Sequence, residues 1–209
     1  MLKIILGIFN IFSFYNLDMV TFMTRLNDAR LIGGIGSLFY LASFFTGFHF
    51  TGSILLLIGL VLIGVAVKYI SDETKDSTIF NNFMYFILIT IIGSIVAIIL
   101  GLGTFLLGAI TIRRMFFSAI LTFIVALIIV WVTFTIASTY LRRSFEQIKE
   151  KTNVNLFSTA GKFYFWGALL TIILVGFIIL LIGIIFMVVA FFSLPDKLPE
   201  QAQTPMQQV

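Results

Sequence analysis

Between residues 31 and 194 the chain runs through apolar stretches long enough to cross a bilayer, and none has a carboxylate or a histidine at its centre. Ionisable groups inside a membrane usually mark ion paths, proton relays or active sites. Because these groups are absent, the sequence places the protein in a membrane without indicating its chemistry. The acids, which lie near the termini or in the breaks, are Asp18, Asp28, Asp72, Glu73, Asp76, Glu146, Glu150, Asp196 and Glu200.

The composition indicates one integral membrane domain. Apolar residues make up 60% of the chain, charged residues 11%, and the mean hydropathy is +1.15. A soluble domain carries roughly a quarter charged residues. The chain has no cysteine, which excludes disulfides, thiolate metal sites and cysteine nucleophiles. The net charge of +4 fits basic residues that orient helices and meet anionic lipid head groups, so we expect no nucleic-acid partner.

We predict an all-α integral membrane fold, a bundle of about five transmembrane helices with an amphipathic cytoplasmic segment. A spanning helix needs about 20 apolar residues. Segment C, as one helix, would be about 45 Å long against a core of roughly 30 Å, so it must tilt, protrude or break, most readily at 101–103. Segment E is kept whole because halves of about 15 residues are too short. The segments are A (31–48), B (52–70), C (83–112), D (116–140) and E (163–194).

Basic residues in short loops set the orientation of a membrane protein. With five spans, a cytoplasmic N-terminus puts ten basic residues inside and three outside, which predicts that the N-terminus is cytoplasmic and the C-terminus outside. The inside set is Lys3, Arg25, Arg30, Lys68, Lys75, Arg142, Arg143, Lys149, Lys151 and Lys162, and the outside set is Arg113, Arg114 and Lys197.

The bundle is predicted over 29–195, flanked by an N-terminal interfacial segment (1–28) and a flexible polar tail (196–209). Three interpretations of the first 22 residues stay open. They form a helix at the membrane interface, they are a cleaved signal peptide that lacks a small-x-small cleavage site, or translation begins at Met19 or Met23.

Rows of small residues mark three of the segments. The pattern Gly93-x-x-x-Ala97-x-x-x-Gly101 lets helix backbones approach closely in lipid. We interpret the rows as packing faces; a polar pore lined by the hydroxyls is the alternative. The rows are Thr90, Gly93, Ala97, Gly101, Thr104, Gly108 and Thr111 in C, Ser118, Thr122, Ala126, Thr133 and Ala137 in D, and Gly176, Gly183 and Ala190 in E.

Residues 140–152 change character abruptly. Leu141, Phe145 and Ile148 form one apolar face, and charged residues occupy the rest. This pattern predicts an amphipathic helix that continues from segment D and lies on the cytoplasmic surface. The alternatives are a solvated connector held by pairs such as Arg143 with Glu146, and a docking site for a protein partner.

Two candidate sites near the start of the bundle have ordinary explanations. His49 is the single histidine, with no acid or thiol beside it, so it is predicted to be an interfacial residue and not a metal ligand. Gly33-Gly34-x-Gly36 resembles a fragment of a phosphate loop, but no strand precedes it. Helix packing, or a helix start after Asn27 or Asp28, is the better interpretation.

Two charged clusters lie between segments. Asp72, Glu73 and Asp76 are predicted to form a solvated turn, since lysines partly neutralise them and their spacing matches no cation-binding loop. Arg113 and Arg114 either cap segment C or bind a phosphate or a carboxylate. No set of acid, base, nucleophile or metal ligands emerges. We therefore predict no catalytic, cofactor or metal residues, and no enzyme activity.

Several stretches resemble the domain-of-unknown-function family numbered 996, which comprises small prokaryotic, largely archaeal, multi-pass membrane proteins. The resemblance extends over about 28–195 and implies a membrane location, an archaeal source and no assigned activity. In that family the Gly-rich opening lies close to the start of the chain. This sequence differs from the family in that residues 1–22 form an extension before the opening. The stretches are LIGGIGS (31–37), IGLVLIGVAVKYIS (58–71), IFNN (79–82), KTNVNLFSTAG (151–161) and AFFSLP (190–195).

Three functions follow as hypotheses. The first is a non-enzymatic packing, accessory or assembly subunit, with membrane lipids and a membrane protein or a second copy as partners. The second is a passive channel or transporter of a neutral or lipophilic solute. The third, an enzyme of lipid metabolism, is disfavoured because Arg113 and Arg114 are predicted on the side opposite to most acids.

Overall fold

The computed structural model describes residues 25–46, 50–110 and 116–199. Within these ranges the chain forms six α-helices joined by short connections, and no strand. A single 3₁₀ turn, Thr171–Ile173, lies before the last helix. The helices are α1 (Arg25–Thr46), α2 (Phe50–Glu73), α3 (Ser77–Ile110), α4 (Phe116–Thr152), α5 (Asn155–Leu170) and α6 (Val175–Phe192).

Successive helices pack against each other in antiparallel fashion. In α5 and α6, for example, Gly183 lies beside Tyr164, whereas Gly176, about two helix turns earlier in α6, lies beside Leu170, which is later in α5. The α1–α2 pair is equally close, because Gly36 faces the backbone of Gly59 and Ile63. Such approaches require glycine, since any Cβ would meet backbone atoms.

The first and last helices also touch, which closes the bundle into a ring. Gly33 and Gly34 of α1 lie against the rings of Phe191 and Phe192. Arg30 donates hydrogen bonds to the carbonyl of Leu194 and to Asp196, the latter at 2.8 Å. The start of α1 and the end of α6 therefore lie at the same end of the bundle. The predicted orientation put Arg30 inside and Lys197 outside. Because Asp196, the neighbour of Lys197, contacts Arg30, that placement is wrong.

That error follows from segment E, which is two helices and not one. The rule of about 20 apolar residues overlooked α5 because this helix begins at Asn155, inside the stretch assigned to a polar connection. It ends at Leu170, and Leu174 reverses the chain with a φ of 61°. By length and composition alone the six helices, with α5 counted through the 3₁₀ turn to Ile173, could each cross a membrane, where about five spans were predicted.

Segments C and D form the longest hairpin of the fold. The α3 helix continues without interruption through Gly101 and Gly103. Gly64 of α2 faces Phe83 of α3. Because the two helices are antiparallel, the first turn of α2, 14 residues before Gly64, lies level with residue 97 of α3. Trp131 of α4 contacts Leu169 of α5, so the end of α5 lies level with residue 130 of α4. The α3–α4 hairpin therefore projects beyond the other four helices by about 14 residues, or roughly 20 Å.

The predicted small rows fall in different surroundings. Gly93 lies under Thr133 of α4, and Ala137 is buried. A Cβ at Gly103, farther along the hairpin, would meet open space. In α6, Gly176 and Gly183 face α5 and Ala190 is buried. The side chains of Thr104, Gly108, Thr111, Ser118 and Thr122 lie outside the residues described.

Residues 140–152 continue α4 without a break, but their apolar face packs inside the protein. Leu141, Phe145 and Ile148 are all buried. The Phe145 ring lies 5.5 Å from that of Phe157, edge to face. This face is therefore covered by α5 and α6, and the prediction that it rests on a membrane surface is corrected. Helix periodicity identified the face correctly but could not identify what covers it.

The ends of the bundle differ from their predicted boundaries. Residues 25–28, assigned to the N-terminal segment, are already helical. Residues 196–199 were assigned to a flexible tail, but two of them contact the bundle. Asp196 pairs with Arg30, and Leu198 packs against the core. The interpretations of residues 1–22 concern a part of the chain outside the described ranges.

The close approach of α5 to α6 gives a first prediction. In Gly167→Ala the new Cβ would lie 2.6 Å from the backbone nitrogen of Leu180, so the helices must separate. We expect a loss of about 1–3 kcal/mol in the free energy of unfolding, measured by denaturation in detergent micelles. Gly103→Ala, where the Cβ has space, is the matched control. Equal stability of the two variants would contradict the packing.

Candidate functional site

All six helices contribute side chains to the axis of the ring. These side chains leave a cavity of about 10 Å³ whose exposed lining atoms are apolar. An apolar space of this size stays dry. The described axis is therefore packed. The lining residues are Tyr40, Leu60, Ile63, Phe83, Phe86, Leu141, Tyr164 and Met187.

A pair of tyrosines supplies the polar contact at this level. The hydroxyls of Tyr40 on α1 and Tyr164 on α5 lie 2.6 Å apart. Phe86 and Phe134 contact the Tyr164 ring edge to face, each at 6.0 Å. Sequence analysis missed this pair, because neither tyrosine belongs to a motif and 124 positions separate them.

The hydroxyls of the predicted rows bind their own helices. Thr90 donates to the carbonyl of Phe86 and Thr133 to that of Ile129, each at 2.7 Å. Ser94, which lies outside the rows, donates to the carbonyl of Thr90 in the same way at 2.8 Å. A hydroxyl paired in this way is satisfied without water. The rows therefore provide no line of free hydroxyls along the described parts of α3 and α4.

The charged residues collect at the opposite end of the molecule from the hairpin tip. The starts of α1, α3 and α5 and the ends of α2, α4 and α6 meet there. We call this region the polar end. It holds every described lysine, arginine, aspartate and glutamate, namely Arg25, Asp28, Arg30, Lys68, Asp72, Glu73, Lys75, Asp76, Arg142, Arg143, Glu146, Lys149, Glu150, Lys151, Lys162, Asp196 and Lys197.

Two of the three clustered acids have cationic partners. Asp72 pairs with Lys68 at 2.6 Å and with Arg25 at 3.6 Å. The Asp76 carboxylate accepts hydrogen bonds from the backbone and hydroxyl of Thr78 at the start of α3, and faces Lys151 at 3.6 Å. These pairs tie the α2–α3 connection to α1 and α4.

The environment of Asp76 favours its ionised form. Partial burial opposes ionisation, but the Thr78 hydrogen bonds and the Lys151 ammonium outweigh it, so the pKa of Asp76 lies below its usual value. The carboxylate acts as an N-cap, which the sequence analysis did not assign to it. Its partner Lys151 lies in the last turn of α4, too distant in sequence for pattern reasoning.

Polar contacts also join α3 to α4 near this end. The Asn82 amide donates to Gln147 at 2.9 Å, and the buried Ser144 hydroxyl donates to the carbonyl of Ile79 at 2.8 Å. Arg142 pairs with Glu146 at 3.1 Å, where the sequence suggested Arg143. The Arg143 guanidinium instead lies 5.4 Å from the centre of the Tyr140 ring.

The remaining candidates are placed as follows. Gly33-Gly34-x-Gly36 lies within α1, where it packs against α2 and α6. Arg25, Asn27 and Asp28 are all helical, so the helix does not start after Asn27 or Asp28. His49, Arg113 and Arg114 lie outside the described residues. Among the described residues no group of three or more histidines and acids is arranged to hold a metal ion.

The fold thus belongs to the class of all-helical proteins whose helices suit a membrane. Residues 55–185 match the family described as Protein of unknown function (DUF996), and the chain belongs to that family. It is 32% identical over 178 residues to an uncharacterised protein of Methanocaldococcus jannaschii, covering 85% of this chain and 97% of that protein. No solved structure matches the chain.

The Asp76 cap generates a second prediction. Asp76→Ala should lower the free energy of unfolding by about 1 kcal/mol at pH 7. Because the folded-state pKa is lowered, this contribution is present above the unfolded value of about 3.9 and is lost as pH falls through the folded value. Denaturation of wild type and variant from pH 7 to pH 3 should show the difference shrinking. Glu150→Ala, at an exposed position, should show no such difference.

The tyrosine pair generates a third prediction. Tyr40→Phe and Tyr164→Phe each remove one hydroxyl and leave the other without its partner. A double-mutant cycle should give a coupling energy of about 0.6–2 kcal/mol in detergent or lipid. Tyr40→Phe combined with Tyr85→Phe, at a half-exposed tyrosine on α3, is the additive control. Additive effects within the Tyr40–Tyr164 cycle would exclude the hydrogen bond.

Proposed function

We propose that this protein is a non-enzymatic accessory or assembly protein of the cell membrane, which associates laterally with another membrane protein or a second copy. Its outward surface supports a membrane location. Large apolar side chains are exposed on all six helices, and charge is confined to the polar end among the described residues. Lipid is the solvent that such a surface fits.

We further propose that the polar end faces the cytoplasm. An excess of basic residues in short loops favours the cytoplasmic side, and the described polar end holds more basic than acidic residues. Arg113 and Arg114, in the connection between α3 and α4, would then face outside. This orientation replaces the N-inside, C-outside topology, because six helices return the chain to its starting side.

The projecting α3–α4 hairpin is the observation that carries the accessory role. Beyond residue 97 no other described helix lies beside it, and it exposes Ile98, Ile99, Leu121 and Phe123. Two antiparallel helices standing apart from the bundle offer contact surface on all sides. Without a hydrophobic driving force between helices in lipid, association there depends on close packing of such faces.

The filled axis favours this role over the passive channel or transporter. Side chains of all six helices meet around a space of only about 10 Å³, and the hydroxyls of Thr90 and Thr133 in the small rows are bound to their own helices. A solute path through the centre would require these helices to move apart. The accessory role requires no such movement.

Extraction of the native membrane in a mild detergent tests this proposal. We expect a complex larger than the monomer on native gels, with either a second protein or a second copy copurifying. Ile98→Trp adds bulk to the hairpin at a side chain 60% exposed, and should reduce recovery of the complex at least about tenfold. Val61→Trp, at a side chain 64% exposed on α2, is the matched control and should leave it intact.

Three outcomes would contradict the proposal. A wild-type protein that is strictly monomeric and copurifies with nothing would remove the accessory role. Equal effects of Ile98→Trp and Val61→Trp would place any contact elsewhere than the hairpin. A solute flux in liposomes that depends on the protein would instead support the channel or transporter.

A further inference from the structure

The turn between α5 and α6 is unusually apolar for a connection between helices. Residues 171–175 read Thr-Ile-Ile-Leu-Val. Ile173 and Leu174 are 59% and 73% exposed, among the most exposed large apolar side chains described. A turn that faces water normally carries Gly, Pro, Asn, Asp or Ser, since these residues favour turns and hydration.

Several of the backbone carbonyls at this turn find partners within the protein. The 3₁₀ segment interrupts the helical hydrogen bonds, which leaves carbonyls at the end of α5 without amide partners. The Trp131 indole of α4 donates to the carbonyl of Leu169 at 3.0 Å, and the Thr171 hydroxyl donates to that of Ala168 at 2.6 Å. The Leu174 amide donates to the Thr171 carbonyl at 3.1 Å.

Such pairing is what hydrocarbon requires of a turn. In water these carbonyls would be hydrated without help, whereas an unpaired backbone group in the bilayer core is strongly unfavourable. A tryptophan from a different helix, used as a cap for α5, replaces the missing water. Gly167 and Gly176 let the two helices approach closely enough for the short turn to close.

The lengths of the helices agree with this environment. The α3–α4 hairpin continues roughly 20 Å past the α5–α6 turn and is apolar up to Arg113 and Arg114. If the turn lay at the far membrane surface, that apolar hairpin would extend into water. If the turn lies inside the bilayer, the longer hairpin completes the crossing.

We infer that α5 and α6 form a re-entrant hairpin, whose turn at Thr171–Val175 lies in the hydrocarbon core and contacts lipid acyl chains. Both ends of this hairpin then lie on the side of the polar end. This inference goes beyond the accessory role, since it holds whether or not a protein partner binds the α3–α4 hairpin.

Cysteine labelling tests the depth of the turn, because the chain has no native cysteine. Ile173→Cys and Glu150→Cys, the latter at an exposed site of the polar end, are reconstituted separately into phosphatidylcholine vesicles. A charged maleimide is supplied on both sides of the membrane by freeze–thaw. We expect Ile173→Cys to react about tenfold less than Glu150→Cys, and both to react fully after denaturation in detergent.

A nitroxide on the same cysteines separates lipid from protein surroundings. At position 173 we expect high accessibility to oxygen and low accessibility to a water-soluble nickel chelate, with the reverse at position 150. Maleimide labelling of Ile173→Cys equal to that of Glu150→Cys would overturn the inference. Low accessibility to both oxygen and nickel would also overturn it, because the turn would then be covered by protein and not by lipid.

Discussion

The contact between the first and last helices, where Gly33 and Gly34 lie against Phe191 and Phe192, gives the molecule its closed form. The other close helix pairs are neighbours in sequence and follow from short connections. The α1–α6 contact joins helices at opposite ends of the chain, and it turns a row of three hairpins into a ring. Two adjacent glycines are needed because aromatic rings occupy the space where side chains would stand.

The antiparallel order of the six helices in the ring determines where the charged residues lie. Six antiparallel helices bring alternate helix ends together, so two polar connections and both described chain ends meet at one end. The ion pairs of Asp72 and Asp76 and the Arg30 contacts with Leu194 and Asp196 follow from that meeting. With five helices the same residues would have been divided between two ends.

Among the described residues, no buried side-chain nitrogen or oxygen lacks a hydrogen-bond partner. Threonine and serine hydroxyls bond to their own helices, the Tyr40 and Tyr164 hydroxyls bond to each other, and the Trp131 indole bonds to the α5 carbonyl. An apolar solvent cannot supply these bonds, which makes such pairing a condition of the fold. The same condition permits the apolar turn after α5.

Composition and hydropathy alone determined that the chain is helical and suited to a membrane, because a chain with so few charged residues cannot present a stable surface to water. Helix periodicity also identified the apolar face of residues 140–152. The sequence could not reveal that α5 begins among polar residues or that Arg30 meets Asp196. Nor could it show that Tyr40 and Tyr164 pair. These features were decided by tertiary structure, since each depends on helices brought together from distant parts of the chain.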